Sequence, residues 1–429
     1  LSAEIEPAVV AQSDSFVVIG LGYVGLPLAR EASKAGFKVT GYDTSAAVVA
    51  GLNSGRSHIQ DVADPDVQLM LSAGFQATTD LKSISAPGAV IICVPTPLGT
   101  DRNPDLSAVR AAAEAAGEIV ARGSIVVLES TTYPGTTDEI VRPIVEKISG
   151  MTAGTDFSLA FSPERIDPGN QLFGIRNTPK VVGGVTADCT AAGVALYERL
   201  CDTVIHANSA REAEMAKLLE NTYRHVNIAL VNEMARICHD LGIDLRDAIR
   251  CAATKPFGFE AFYPGPGVGG HCIPVDPGYL SHRVRTWLGY PFRLVDLAVD
   301  INESMPAYVA VRVREALEAR GTQVLGARVL LMGVTYKKDC ADLRETPATP
   351  LARVLRSYGA ELSFCDPYVA EWVVDGSPVT AATDLEEGIA NTDLAVLLQV
   401  HSAFDLSVLA KHAGKMFDTR GVVISAERL

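Results

Sequence analysis

Three glycines decide most of what this chain can fold into. Phe16-Val-Val-Ile-Gly20 is a short apolar run that breaks into Gly20-Leu-Gly22-Tyr23-Val24-Gly25 and continues to Gly36 as a helical pattern. Strand, tight turn and helix in that order open a β-α-β unit. A second strand, Lys38-Val-Thr-Gly-Tyr-Asp43, ends in an acid 18 residues past Gly25. Glycines so placed allow the turn, the close approach of a pyrophosphate and tight packing of helix on strand, while Asp43 can accept from both hydroxyls of a ribose. The motif therefore reads as a dinucleotide site, with NAD favoured over NADP because the Asp43 carboxylate repels a 2′-phosphate.

Further strands at 89–94, 124–128, 157–161 and 180–182, with a helical stretch at 105–121, carry the alternation on. The fold class expected is α/β, with two Rossmann-like doubly wound parallel-sheet domains joined by a helical central region. A loose acidic segment 1–14 precedes an NAD-binding domain at 15–205. Apolar residues at 215, 218, 219, 226, 230, 234 and 237 mark a helix over 210–241, and a second long helix, 294–320, is interrupted at Pro306. These make a central domain at 206–320. From residue 327 the strand and helix pattern resumes, with strands at 328–333, 361–365 and 393–398. A second Rossmann-like domain with a degenerate glycine turn is expected at 321–429.

Composition narrows the partners. The chain has 37 Lys and Arg against 51 Asp and Glu, a net charge of −14, the wrong sign for neutralising nucleic-acid phosphates. Its 8 cysteines include no Cys-x-x-Cys, so neither a disulfide framework nor a metal site is indicated, and a reducing cytoplasm fits. No apolar run approaches the ~20 residues of a membrane span.

Several residues stand out locally. Cys272 follows the loop Tyr263-Pro-Gly-Pro-Gly267-Val-Gly-Gly-His271 and precedes a helix at 278–288. A thiol beside exposed helix N–H groups has a lowered pKa, which makes Cys272 a candidate nucleophile. The other seven cysteines read as small apolar residues. Asp276-Pro277 reads either as a helix-capping pair or as chemistry. Lys217 and Asn221 stand one helical turn apart; alone, they read as a solvated face opposite Met215, Leu218 and Leu219. Glu129-Ser-Thr131-Thr132 and Ser162-Pro-Glu164-Arg165 lie at strand ends, where doubly wound sheets place their sites. Cys93-Val94-Pro95-Thr96-Pro97 is equally a bland loop or a cofactor contact.

Taken together, these motifs, with Gly333-Val-Thr-Tyr-Lys-Lys-Asp-Cys-Ala-Asp-Leu-Arg344, resemble the UDP-glucose / UDP-N-acetyl-hexosamine dehydrogenase family of nucleotide-sugar 6-dehydrogenases over residues 15–425. The resemblance implies NAD as cofactor, a nucleotide-diphosphate sugar as substrate, a homodimer, and a double oxidation of the sugar C6 alcohol to a carboxylate with two NAD⁺ reduced in turn. Cys272 matches the nucleophile that carries a thiohemiacetal and then a thioester. Lys217 and Asn221 match the pair steadying the oxygen at C6. Asp276 and Thr131 match residues placing water, and Glu164 matches the acid–base carboxylate. Arg165, Lys255, Phe257, Gly258, Phe259, Phe262, Tyr263, Gly267, Tyr336 and Lys337 fall to the sugar nucleotide. Tyr23, Val24, Val94, Pro95, Thr96, Thr131 and Arg344 join the glycine turn on the cofactor.

Two positions depart from the glucose-oxidising branch: Pro168 stands where a second Glu is typical, and Val275 where many members have Lys. The substrate expected is a UDP- or dTDP-linked glucose-type hexose, with UDP-N-acetylglucosamine or UDP-N-acetylmannosamine as the alternative. A single-step hydroxyacid-type dehydrogenase would have no use for Cys272. A silent sugar-nucleotide sensor would have no use for the intact set of Cys272, Lys217, Asn221 and Asp276.

Overall fold

A computed structural model describes residues 14–59, 61–99, 103–166, 172–270, 273 and 275–429. The chain divides into two compact units, Leu1–Glu220 with Gly278–Leu288, and Asn221–Pro277 with Gly289–Leu429.

The first unit is built on β1 (Ser15–Ile19), β2 (Lys38–Tyr42), β3 (Gln76–Thr78), β4 (Ala89–Ile92), β5 (Ile125–Leu128), β6 (Ser158–Phe161), β7 (Lys180–Gly184) and β8 (Val204–His206), in the order β3-β2-β1-β4-β5-β6-β7-β8. Every residue of β4 and β5 is buried, which a strand achieves only when both sheet faces are covered. Alternate residues serve two cores: Phe16, Val18, Ile91 and Val127 on one face, Val17, Ile19, Val90 and Val126 on the other. All pairs are parallel except β6 with β7. Because β2 and β4 flank β1 on opposite sides, the loops after β1 and β4 diverge and open a crevice at the strand ends.

The second unit repeats the plan with β9 (Arg328–Met332), β10 (Glu361–Cys365), β11 (Trp372–Val374), β12 (Ser377–Ala381), β13 (Leu394–Leu397), β14 (Met416–Asp418) and β15 (Glu427–Arg428), in the order β11-β12-β10-β9-β13-β14-β15. Only the β11–β12 hairpin is antiparallel. The same corner recurs in both sheets. Gly20, after β1, has φ +92° and would push a Cβ to 2.8 Å from the Cys93 carbonyl, while Gly333, after β9, has φ +69° and would push one to 2.3 Å from the Gln399 carbonyl.

Between the sheets in sequence run the helices Ala210–Asp240, Asp276–Arg283 and Arg293–Glu318. Two expectations are corrected here. The helix Arg293–Glu318 continues through Pro306, which is buried. Proline has no N–H for the Asn302 carbonyl four residues back, and Gly267 packs close to that carbonyl, where an added Cβ would lie 3.4 Å from it. Only part of the apolar stripe of Ala210–Asp240 is a core face: Leu218 is fully buried. Leu219, Leu230, Met234 and Ile237 are exposed, Leu219 at 64% and Leu230 at 58%, whereas Lys217 and Asn221 are buried. Apolar spacing alone does not say which of its residues are covered.

Gly333→Ala combines left-handed backbone with a clash against main chain, whereas Gly36, at φ +87°, has nothing within 4 Å of an added Cβ. Gly36→Ala should cost about 1–2 kcal/mol of unfolding free energy and Gly333→Ala about 3–5 kcal/mol, measured by urea denaturation; equal losses would contradict the packed corner.

Candidate active site

The cofactor corner is assembled from main chain. The Gly25 position would set a Cβ 1.9 Å from the Gly20 carbonyl, so helix and strand pack to contact there, while a Cβ on Gly22 would meet nothing within 4 Å. The middle glycine thus leaves open space above the turn, as a pyrophosphate requires. Asp43 accepts the Leu21 N–H at 2.9 Å and the Ser45 N–H at 2.8 Å, which fixes its carboxylate at the mouth of the turn. These residues fit NAD. Behind the turn, the loop after β4 is tied at Val94, whose carbonyl accepts Ser130 Oγ at 2.7 Å, and at Thr96, whose carbonyl accepts the buried Tyr279 hydroxyl at 2.6 Å. Tyr23 is half exposed and Val24 partly buried.

Beneath Thr131 lies a charged cluster. Glu129, 2% exposed, pairs with Lys180 at 3.0 Å and accepts the Tyr197 hydroxyl. Burial, then the Glu129 charge, pushes the Tyr197 phenol and the Cys93 thiol well above their ordinary values. Glu129, Lys180, Arg165, Ile166, Val24 and Leu28 help line a small cavity.

Glu164 follows β6 on the loop that faces helix Ala210–Asp240. Lys217, buried, donates to the Glu164 carbonyl and stands 3.6 Å from its carboxylate, which also accepts the Ile166 N–H. Arg165 reaches the same helix through Glu220 at 2.7 Å and holds the Pro179 carbonyl at 2.8 Å. Its guanidinium is therefore engaged in fastening the loop.

In the second unit, Asn221 donates its amide N–H to the Asp276 carboxylate, and both are buried. Asp276 is the first residue of the helix Asp276–Arg283. Lys255 sits 5.0 Å from the Phe257 ring, and Phe257, Phe259 and Tyr263 are 71%, 43% and 52% exposed. Gly258 has φ +67° at the tip of this segment. Phe262 packs edge-on against Tyr223. The glycine loop is held from several sides. Asn232 accepts the Gly265 N–H at 3.0 Å and donates to Asn302 at 2.9 Å. A Cβ at Gly269 or Gly270 would fall 2.5 or 2.6 Å from Tyr336, and Gly270 N–H donates to the Arg344 carbonyl at 3.1 Å. Arg344 itself pairs with Asp342, and the Lys337 carbonyl accepts Thr335 Oγ1 at 3.0 Å. His271, Cys272 and Pro274 lie outside the described residues, as do residues 167–171 with Pro168.

Several supporting residues escaped the sequence reading. Glu214, Glu220 and Tyr279 look like ordinary helix positions in sequence. Asp366 was legible as an acid at a strand end; its partner was not. Its carboxylate accepts the Val334 and Thr335 N–H groups and is met by His401 Nε2 at 3.1 Å. His401 Nδ1 accepts the Asp339 N–H at 3.0 Å, so Nε2 carries the proton. Two arginines, Arg246 and Arg420, meet near Gly265 and Gly421. Burial, then the Arg246 charge, lowers Arg420 to about 10.

A glycine corner shaped for a dinucleotide on one of two Rossmann-like sheets defines an NAD-dependent oxidoreductase. Three consecutive stretches match models of the UDP-glucose/GDP-mannose dehydrogenase family: the NAD binding domain over residues 15–201, the central domain over 211–304 and the UDP binding domain over 330–425. The chain belongs to this UDP-glucose/UDP-N-acetylhexosamine (nucleotide-sugar) dehydrogenase family. It is 39% identical to the UDP-N-acetyl-D-glucosamine 6-dehydrogenase of Pseudomonas aeruginosa over 354 residues, 82% of either chain. The solved UDP-D-ManNAc dehydrogenase of Pyrococcus horikoshii superposes with a TM-score of 0.85 at 32% identity, covering 96% of this chain and 98% of that one. A UDP-glucose dehydrogenase from Pyrobaculum islandicum superposes at 0.81 with 27% identity, covering 100% and 98%. Among the described residues no group of His, Cys, Asp and Glu could hold a metal ion, and no helix is long and apolar enough to cross a membrane.

The buried Glu129–Lys180 pair gives a direct test of the site's scaffold. Lys180→Met strands a carboxylate in the interior and should cost about 3–5 kcal/mol, while the double variant Glu129→Gln/Lys180→Met should recover most of it. Additive losses in thermal denaturation would show that the two groups do not act as a pair.

Proposed function

We propose that this enzyme oxidises C6 of a UDP-linked N-acetylhexosamine to the uronate, with two NAD⁺ and one water consumed per sugar. The glucose-type hexose expected first gives way to the N-acetyl alternative. Relatives at 39% and 32% identity carry names that specify UDP-N-acetyl-D-glucosamine and UDP-D-ManNAc, against 27% for the UDP-glucose dehydrogenase. We read residues 15–205 as the NAD domain, 206–320 as the central domain with the cysteine loop, and 321–429 as the nucleotide-sugar domain.

The observation that carries the chemistry is the burial of Lys217, at 7% exposure, against Glu164, one helical turn before an equally buried Asn221 bound to Asp276. Groups of this kind leave water only where they are partnered or used. NAD, when bound, supplies the hydride acceptor, held by Gly20, Gly22, Gly25 and Asp43 with Val94, Pro95 and Thr96 beside it. Cys272 attacks the C6 aldehyde as thiolate, and the resulting oxyanion is met by Lys217 and by the amide of Asn221, whose orientation Asp276 sets. Glu164, with Thr131 and Asp276, places the water that cleaves the thioester and takes up its proton. Arg165 holds the Glu164 loop to the long helix. The exposed aromatics Phe257, Phe259 and Tyr263, with Lys255 and Phe262, close over the sugar nucleotide; Gly267, Tyr336, Lys337 and Arg344 shape the floor.

Leu230, Met234 and Ile237, with Leu294 and Leu297 of the second long helix, form an exposed apolar face in the second unit, and a second copy of the chain is its proposed cover. A cytoplasmic location fits the seven described cysteines, all unpaired.

On UDP-N-acetylglucosamine, UDP-N-acetylmannosamine and UDP-glucose, one N-acetyl substrate should show kcat/KM at least about tenfold above UDP-glucose, with two NADH per sugar, and Cys272→Ser should stop before the acid. Preference for UDP-glucose, or a single NADH per sugar, would overturn the reading. Leu230→Glu with Met234→Glu should convert a dimer to a monomer in analytical ultracentrifugation; an unchanged mass would remove that face from the interface.

A further inference from the structure

We propose that Glu214 is a positioning residue: its buried carboxylate fastens the loop that starts at Thr131 to the helix that carries Lys217. The inference rests on the reading of Thr131 and Lys217 given above. Glu214 is fully buried on the first turns of Ala210–Asp240, three residues before Lys217. One carboxylate oxygen accepts the Gly135 N–H, at 2.6 Å, and the other accepts the Thr137 N–H at 2.9 Å and Thr137 Oγ1 at 2.8 Å. Three donors converge on one side chain, and all three belong to the segment just after β5. At the other end of that segment Ser130 Oγ is fixed to the Val94 carbonyl. Thr131 is thereby strung between two anchors, one on the cofactor loop and one on the catalytic helix.

The geometry leaves little slack. Gly135 has φ +100°, a backbone that strains any other residue, and a Cβ there would also have to push aside the ends of the Glu139 and Arg283 side chains, at 2.7 and 3.1 Å. Thr136 N–H and Oγ1 both turn back to the Tyr133 carbonyl, which stiffens the intervening turn. No substrate or cofactor contact is needed to explain Glu214; all of its bonds point at main chain and one hydroxyl.

The ionisation of Glu214 is balanced. Burial, the largest influence, raises its pKa to about 7, against the lowering by the Thr137 and Gly135 donors, and the Asp138 charge adds to the rise. The charged groups around it are Asp138 and Glu139 on the turn Thr137–Val141, Arg211 and Lys217 on its own helix, and Arg283 of Asp276–Arg283 with Tyr133 on the loop. Arg211 is engaged with Asp138 and Glu139, Arg283 with Glu139, and Lys217 with Glu164. With a folded pKa above the unfolded value of 4.5, ionised Glu214 subtracts stability as pH rises from about 4.5 through about 7. The loop tie runs the other way, because only the carboxylate can accept at both oxygens. A carboxylate buried without the loop tie would show the first dependence and not the second.

The test uses the full chain. In Glu214→Gln, hydrogen–deuterium exchange protection over residues 133–138, taken relative to the intrinsic base-catalysed rate, should fall at pH 8 and lose the rise that the wild type gains as pH passes about 7. The kcat for each hydride step should fall about 10- to 100-fold with KM within about twofold, since small misplacements carry penalties of that order. Glu214→Asp keeps the charge but is one methylene short, and should show a milder fall of about three- to tenfold; it also carries the test if the glutamine variant does not fold. A kcat within twofold of wild type, or a fall in kcat with unchanged exchange, would overturn the proposal. If the wild type turns over no UDP-sugar, the functional reading fails, and exchange alone still decides the tie.

Discussion

An ammonium group cannot be moved out of water without carboxylates and carbonyls to meet it, and the helix Ala210–Asp240 is where this protein accepts that constraint. Lys217 is buried against Glu164, and Asn221 is buried against Asp276. Removing either acid would take a side-chain partner from a desolvated polar group, at a penalty of a few kcal/mol. The requirement explains why the loop after β6 is bound to the helix twice, by Lys217 on the Glu164 carbonyl and by Arg165 on Glu220. It also explains why Lys217 and Asn221 are buried beside Leu218 while Leu219, Leu230 and Met234 are outside. Paired polar groups share the buried side of this helix with Leu218, Ala213 and Ala229.

The two sheets show how one corner can serve two purposes. After β1 and after β9 a glycine in left-handed conformation packs against the carbonyl that follows the neighbouring strand. After β2 and after β10 an aspartate accepts main-chain N–H groups of that turn, Asp43 from Leu21 and Asp366 from Val334 and Thr335. The difference is what comes next. Asp43 faces a turn whose second glycine is open, whereas Asp366 is met by the protonated nitrogen of buried His401. Three donors crowd one oxygen of Asp366, against one N–H on each oxygen of Asp43, so Asp43 is the freer acceptor for a ribose diol, in agreement with the family's NAD and UDP binding domains.

The glycine-rich loop before Cys272 is ordered by a different means, a chain of amides. Gly265, Asn232, Asn302 and the main chain at His225 are linked in sequence, and burial lowers the pKa of His225 to about 4, so it is neutral. Neutral amide networks specify geometry without a charge to desolvate. Gly269 and Gly270 then lie against Tyr336 with no room for a side chain.

Much of this was legible in the chain alone. The glycine turn, Asp43, the two runs of alternating strands and helices, and the cluster around Cys272 rest on local rules: a positive φ, a close approach, a strand too apolar to face water. Lys217 and Asn221 of the helix Ala210–Asp240 were legible as candidates, yet their burial was not, since spacing on a helix cannot say which polar residues turn inward to meet partners distant in sequence. Only the tertiary structure decided that Lys217 rather than Leu219 is inside, that the helix Arg293–Glu318 runs through a buried Pro306, and that Glu214, His401 and Asn232 do their work through bonds to main chain dozens of residues away. Sequence patterns record what a residue must avoid or permit in its own turn of chain; the partner of a buried polar group is chosen by packing, which no local pattern contains.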